Sequence, residues 1–217
     1  MYKLAVFDLD GTVLDTLDDL ESALNHTLRK FSFPEKTREQ VRSLVGHGLR
    51  NLVKDASGSE DDVLISRLHS EIASYYLAHS AEQTRPYAGI PEMLQHLKER
   101  GIKIAVCSNK KDEVTSDLCS RFFPGVFDVC RGERPDTPIK PSPESVHAIM
   151  NELGASSGET VYIGDSEVDV LTASNAGIDS IIVTWGFRSR EALESAGASV
   201  LADDVQTLEG IITSSQQ

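Results

Sequence analysis

The chain has 217 residues, 40% of them hydrophobic and 25% charged, enough apolar material for a substantial core in one large domain or two small ones. A formal net charge of −13 and an isoelectric point near 4.8 oppose long-range attraction to nucleic acid or to an anionic membrane, so a small anionic ligand would need a locally positive pocket. No run of about 18 apolar residues offers a membrane span, and the apolar run over 4–7 meets Asp8 and Asp10 before it could form the core of an export signal.

The first predicted strand covers 3–7 and delivers Asp8-Leu9-Asp10-Gly11-Thr12 at its carboxyl end. Period-two geometry sends the Asp8 and Asp10 carboxylates the same way while Leu9 faces the core. Crowding like charges is costly unless a cation sits between them. Gly11 lets the chain turn away without filling the space.

The next stretch breaks the strand rhythm. Helices are predicted over 17–31, 37–44, 49–56 and 61–78 with no strand between them, which makes 16–85 an inserted all-helical unit. Its borders are Asp15-Thr16 and the Arg85-Pro86-Tyr87-Ala88-Gly89 stretch, whose proline and glycine suit a hinge. Inside it, Gly46-His47-Gly48 precedes a helix, so its backbone N–H groups form a candidate anion site with Arg50 close by.

From residue 90 onward helices and strands alternate. Helices are predicted over 90–100, 111–121, 143–153, 168–176 and 205–212, and strands over 103–107, 126–130, 161–163 and 180–183, with a short one over 199–201. Pro91 suits a first helical turn, and Gly101 and Gly154 suit helix ends. The fold expected is α/β: a Rossmann-like parallel sheet formed by 1–15 and 86–217, with 16–85 inserted as a helical cap. The polar tail over 214–217 reads as frayed. Cys107, Cys119 and Cys130 lack CxxC spacing and histidine pairs, so neither a disulfide framework nor a zinc site is expected, and a reducing cytoplasm fits.

In an open parallel sheet, ligands gather beyond the carboxyl ends of the strands. Four polar clusters are predicted there: Asp8 to Thr12, then Ser108-Asn109-Lys110, then Lys140 in Lys140-Pro141-Ser142-Pro143, then Gly164-Asp165-Ser166-Glu167-Val168-Asp169. Taken singly these have plainer readings, as helix N-caps, turn residues or a solvated loop lysine. Taken together they suit one chemistry. Carboxylates Asp8, Asp10, Asp165 and Asp169 match the oxygen preference of Mg2+ better than zinc. A carboxylate can attack phosphorus and split a very slow hydrolysis into two easier steps. Lys140 and Ser108 would then hold the phosphoryl oxygens, and Asp10 would serve as acid and base.

The ordered segments FDLDGTVLDT over 7–16, CSNK over 107–110, KPSPE over 140–144 and IGDSEVDVLTASNAG over 163–177 resemble the haloacid-dehalogenase superfamily, most of all its phosphoglycolate phosphatase branch. The resemblance spans essentially the whole chain, with the cap inserted after the first motif. It implies that Asp8 is the nucleophile and Asp10 the general acid and base. It also implies that Ser108 and Lys140 bind the phosphoryl group, and that the metal is held by Asp8, the Asp10 carbonyl and Asp165, with Asp169 in support. Thr12, Asn109, His47 and Arg50 are the candidate substrate contacts, Arg50 and His47 for a leaving-group carboxylate. The function implied is a Mg2+-dependent phosphatase acting on a small phosphorylated metabolite, 2-phosphoglycolate foremost, through an aspartyl phosphate, in a monomer or homodimer. The alternatives are a phosphomutase like β-phosphoglucomutase, a pyrophosphatase, or a phosphoryl-accepting signalling module. The last lacks a helical insertion and does not carry DxDGT at its first strand.

Overall fold

The computed structural model describes residues 2–214, so the tail expected to fray lies, beyond Ser214, outside the described residues. Two compact units emerge, one running to Leu14 and resuming at Pro86, the other Asp15–Arg85.

The first unit is built on a six-stranded sheet with strands β1 (Leu4–Phe7), β4 (Lys103–Lys111), β5 (Val129–Glu133), β6 (Thr160–Gly164), β7 (Asp179–Val183) and β8 (Leu201–Ala202) in the order β5-β4-β1-β6-β7-β8. Every pairing in it is parallel, with Leu4 opposite Lys103 on one side of β1 and Thr160 on the other. All four residues of β1 and all five of β6 are buried, as expected of central strands covered on both faces. On one face Leu4, Val6, Ala105, Cys107 and Tyr162 pack with Val146, Ile149 and Met150 of α7 (Glu144–Leu153) and with Ala173 and Ala176 of α8 (Glu167–Ala176). After β1 the chain builds β4 and β5 to one side, then crosses to β6 on the other. This puts a reversal of strand order, and hence a crevice, beside the carboxyl end of β1.

Three local features differ from the sequence expectation. The strand predicted over 126–130 begins at Val129, because the Asp128 carboxylate is taken up by the Ile104 N–H at 2.8 Å and Val126 closes a turn onto Phe123. Strand β4 continues to Lys111 through a register irregularity after Cys107, so Ser108, Asn109 and Lys110 form the frayed end of the strand rather than a loop beyond it. A short helix α9 (Arg190–Ser195) also stands where none was expected, capped by Ser189, whose hydroxyl accepts from the Ala192 N–H.

The second unit holds α1 (Leu17–Lys30), α2 (Arg38–Leu44), α3 (Gly48–Ser57) and α4 (Asp62–His79). Thr37 and Gln40 form a reciprocal capping box on α2, and Asp61 caps α4. Buried Asp19 accepts from the N–H groups of Gln83 and Thr84 and from the Thr84 hydroxyl, at 2.8–3.1 Å, so this carboxylate fastens α1 to the segment that leaves the unit. The short strands β2 (Leu14–Asp15) and β3 (Arg85–Pro86) form a separate two-stranded ribbon. No described helix is long and apolar enough to cross a membrane.

Candidate active site

Asp8 leaves β1 into the crevice, buried, with its Oδ1 accepting from the Leu9 N–H at 2.7 Å. Leu9 is fully buried, and three N–H groups from Thr12 to Leu14 fold back onto its carbonyl. That tight winding needs Gly11, whose φ is +77° and whose place a Cβ could not share with the Asp165 carboxylate. Asp8 and Asp10 thus come from one strand end but meet different cations. Lys140 Nζ lies 2.9 Å from Asp8 Oδ1, and Lys110 Nζ lies 3.1 Å from Asp10 Oδ1.

Lys140 is also held from behind. Its ammonium reaches Asp169 Oδ1 at 2.8 Å and the Tyr162 hydroxyl at 3.0 Å. Asn109 grips its backbone from both sides, donating from Nδ2 to the Lys140 carbonyl at 3.0 Å and accepting the Lys140 N–H on Oδ1 at 2.8 Å. Asn109 therefore positions Lys140 with both of its amide atoms. The Asn109→Ala variant strands two buried backbone groups and should lose about 2 kcal/mol or more of unfolding free energy in urea melts, at roughly 1–3 kcal/mol per unpaired group. A loss below about 0.5 kcal/mol would show that the grip is dispensable.

The fourth segment is equally constrained. Asp169 Oδ2 accepts from the N–H groups of Asp165 and Ser166 at 3.1 Å and from the Ser166 hydroxyl at 2.7 Å, while its Oδ1 faces Lys140. Both Asp169 oxygens are spent on the protein. Asp165 accepts the Phe187 N–H on Oδ2 at 2.6 Å and the Thr12 hydroxyl on Oδ1 at 3.4 Å. Fully buried Thr12 is thus turned to Asp165. Gly186 has no room for a side chain, since a Cβ there would collide with the same carboxylate.

Burial, with some help from Asp169 and Asp10 and against the pull of Lys140, pushes the Asp8 carboxyl up to about 7. Burial followed by Asp169 and Asp8 raises Asp165 well above the usual carboxylate range, against the Phe187 N–H and Arg188. Burial works against the charge on Lys140, but Asp169 and Asp8 outweigh it and keep the ammonium protonated. Four carboxylates, Asp8, Asp10, Asp165 and Asp169, outnumber the two ammoniums of the cluster, Lys110 and Lys140. With Asp8 and Asp165 ionised, a divalent cation would supply the missing positive charge. Oxygens of Asp8, Asp165 and Asp169 lie within 4.8 Å of one another; with both Asp169 oxygens engaged, Asp8 and Asp165 are the carboxylates that fit Mg2+, which prefers oxygen donors.

The structure therefore gathers Asp8, Asp10, Thr12, Ser108, Asn109, Lys140, Asp165 and Asp169 at the carboxyl ends of β1, β4 and β6. His47 and Arg50 belong to the helical unit. His47 immediately precedes α3, and half-exposed Arg50 reaches Asp62 at 3.1 Å and the Ser66 hydroxyl at 3.2 Å. Two residues of the cluster had gone unassigned in the sequence. Lys110 stands two positions after Ser108 on an extended strand, so alternation gave a signal for it. Tyr162 gave none, being indistinguishable in sequence from a core aromatic. Its hydroxyl lies within reach of Asp169 Oδ1 at 3.2 Å and the Cys107 carbonyl at 3.1 Å, and its ring sits under the Lys140 ammonium.

Comparison with known proteins gives concordant matches. The sequence profile of the Haloacid dehalogenase-like hydrolase family matches residues 5–183. The phosphoglycolate phosphatase of Agrobacterium fabrum is 33% identical over 94% of this chain and 90% of its own length. That of Caulobacter vibrioides is 35% identical over 90% and 84%. Among solved structures, a candidate phosphoglycolate phosphatase from Lactobacillus delbrueckii subsp. bulgaricus superposes with a TM-score of 0.92 at 35% identity, covering 97% of this chain and 98% of its own.

Proposed function

Because the chain belongs to the haloacid dehalogenase-like hydrolases, we propose that it is a Mg2+-dependent phosphatase that hydrolyses a small phosphorylated metabolite, 2-phosphoglycolate foremost, through a phosphorylated Asp8. The observation that carries this reading is the pairing of Asp8 with Lys140 at 2.9 Å, with a carboxylate oxygen of Asp165 within 4.8 Å of one from Asp8. The names of the Agrobacterium and Caulobacter relatives support the substrate.

Asp8 Oδ1 is engaged by Leu9 and Lys140, which leaves Oδ2 to attack phosphorus. As the new O–P bond forms and the bond to the leaving oxygen breaks, Asp10 gives that oxygen a proton. Asp10 then takes a proton from the water that displaces Asp8 from phosphorus, restoring both groups. Lys140 balances charge on the phosphoryl oxygens and the Ser108 hydroxyl donates to one of them; a preorganised donor of this kind contributes about 10²–10³-fold in rate. Mg2+, held by Asp8, Asp165 and the Asp10 carbonyl, would add Lewis-acid charge neutralisation. Asp169 acts through Lys140, which it orients. A cytoplasmic setting is supported by the three free thiols.

The test is a panel of phosphate esters with Mg2+: 2-phosphoglycolate, sugar phosphates including β-glucose 1-phosphate, nucleotides and pyrophosphate. Preferred hydrolysis of 2-phosphoglycolate, stopped by chelator and restored by Mg2+, is expected. Isomerisation of the sugar phosphate would make the protein a mutase, and full activity in chelator would remove the metal. The same panel tests Arg50. The Arg50→Ala variant should raise KM for 2-phosphoglycolate about tenfold more than for a sugar phosphate, whose leaving group is uncharged, in keeping with a lost charge-assisted hydrogen bond of about 1.4 kcal/mol. Equal changes would exclude it from recognition of the leaving group.

A further inference from the structure

Away from the phosphoryl crevice, the core unit has a cavity of about 660 Å³ between α5 (Ile90–Glu99) and α10 (Val205–Thr213). This falls in the range of about 300–1,000 Å³ typical of small-molecule sites. Tyr87 and Trp185 form part of its wall, with ring centroids 6.4 Å apart and planes inclined at 57°, and buried Met93 is among its lining residues. Three carboxylates complete it, Glu92 from α5 and Asp204 and Glu209 from the start and body of α10. Among the described residues, neither Lys nor Arg lines it. His96, the one basic side chain among the described lining residues, stands 3.4 Å from Glu209.

Each component favours the same class of occupant. Aromatic faces attract a cation through the ring quadrupole, worth about 0.5–2 kcal/mol per contact. Carboxylates add Coulomb attraction and repel any second phosphate. A neutral ligand without N–H or O–H donors would gain no such attraction. We propose that this cavity is a binding site for a small organic cation, a quaternary or alkyl ammonium compound, seated against Trp185. The site stands independently of the phosphatase reading.

Its position ties it to the catalytic crevice. The Trp185 indole N–H donates to the Thr12 carbonyl at 3.1 Å, and the next two residues hold Asp165, Gly186 by packing and Phe187 through its N–H. An occupant resting on the indole bears on the segment that shapes the carboxylate cluster.

Trp185 is the chain's one tryptophan, so intrinsic fluorescence reads the site directly. Choline titrated at constant ionic strength should change the emission saturably, while its neutral carbon analogue 3,3-dimethyl-1-butanol should not. The double variant Glu92→Gln, Asp204→Asn should raise the choline half-saturation concentration at least about tenfold through lost charge attraction. Asparagine is chosen because Asp204 caps α10 by accepting the Thr207 N–H at 2.7 Å, and asparagine caps as well. The proposal fails if choline gives no saturable change, if the neutral analogue binds equally, or if the double variant titrates like the wild type. Loss of phosphatase activity with choline binding intact would instead count against the function proposed above, and not against this site.

Discussion

The Asp8→Asn variant should lose at least about 10⁴-fold in kcat, the scale seen when a nucleophile is removed from a covalent mechanism, and yet fold more stably than the wild type in chelator at pH 8. The first effect follows from chemistry: an amide cannot take phosphorus and be released by water. The second follows from burial. Asp8 is pushed up to about 7 against an unfolded value of 3.8, first by desolvation and then by Asp169 and Asp10. The native state therefore keeps a proton that the unfolded chain gives up. Unfolding free energy falls as pH rises where the native state binds more protons, so the metal-free wild type loses stability between about pH 4 and pH 7. Asparagine stands in for the protonated acid and escapes this loss, which is on the order of a few kcal/mol. Quenched-flow assays and urea melts at pH 4 and pH 8 separate the two effects. Turnover within tenfold of wild type would remove Asp8 as nucleophile, and a variant less stable than wild type at pH 8 would refute the burial account.

The Lys140→Met variant should show the opposite pattern of stability. Lys140 is the common counter-charge of Asp8 and Asp169, at 2.9 and 2.8 Å, with its side chain 3% exposed. Removing one member of such a buried set leaves uncompensated charge and costs about 3–5 kcal/mol. The cost should be largest at pH 8 and should shrink at pH 5, because Asp8, no longer pulled down by Lys140, takes up its proton more readily. Adding Asp169→Asn should recover part of the stability without recovering activity. Activity should fall about 10²–10³-fold, as when one preorganised charge is taken from a transition state. Equal destabilisation at both pH values would mean that Lys140 contributes through packing alone.

Much of this was legible in the sequence because it is local. Short apolar, β-branched runs marked the strands, longer helical patterns lay between them, and Pro91, Gly101 and Gly154 punctuated the helices. The strand that begins at Val129 was misplaced because its start is set by a long-range contact, the Asp128 carboxylate on the Ile104 N–H. Helix α9 was missed because six residues carry too little periodicity.

The sequence by itself determined which chemical groups are available and that they stand at strand ends. It also determined that a helical segment interrupts the sheet after its first strand. Only the tertiary structure decided how those groups are shared. Asp169 is consumed in holding Lys140, Asn109 grips the Lys140 backbone, Lys110 answers Asp10, and Thr12 turns to Asp165 across 153 residues of chain. The physical reason is that a parallel sheet brings carboxyl ends together regardless of their separation along the chain. Distances of an ångström or two then settle which carboxylate keeps which cation, and no local pattern encodes them.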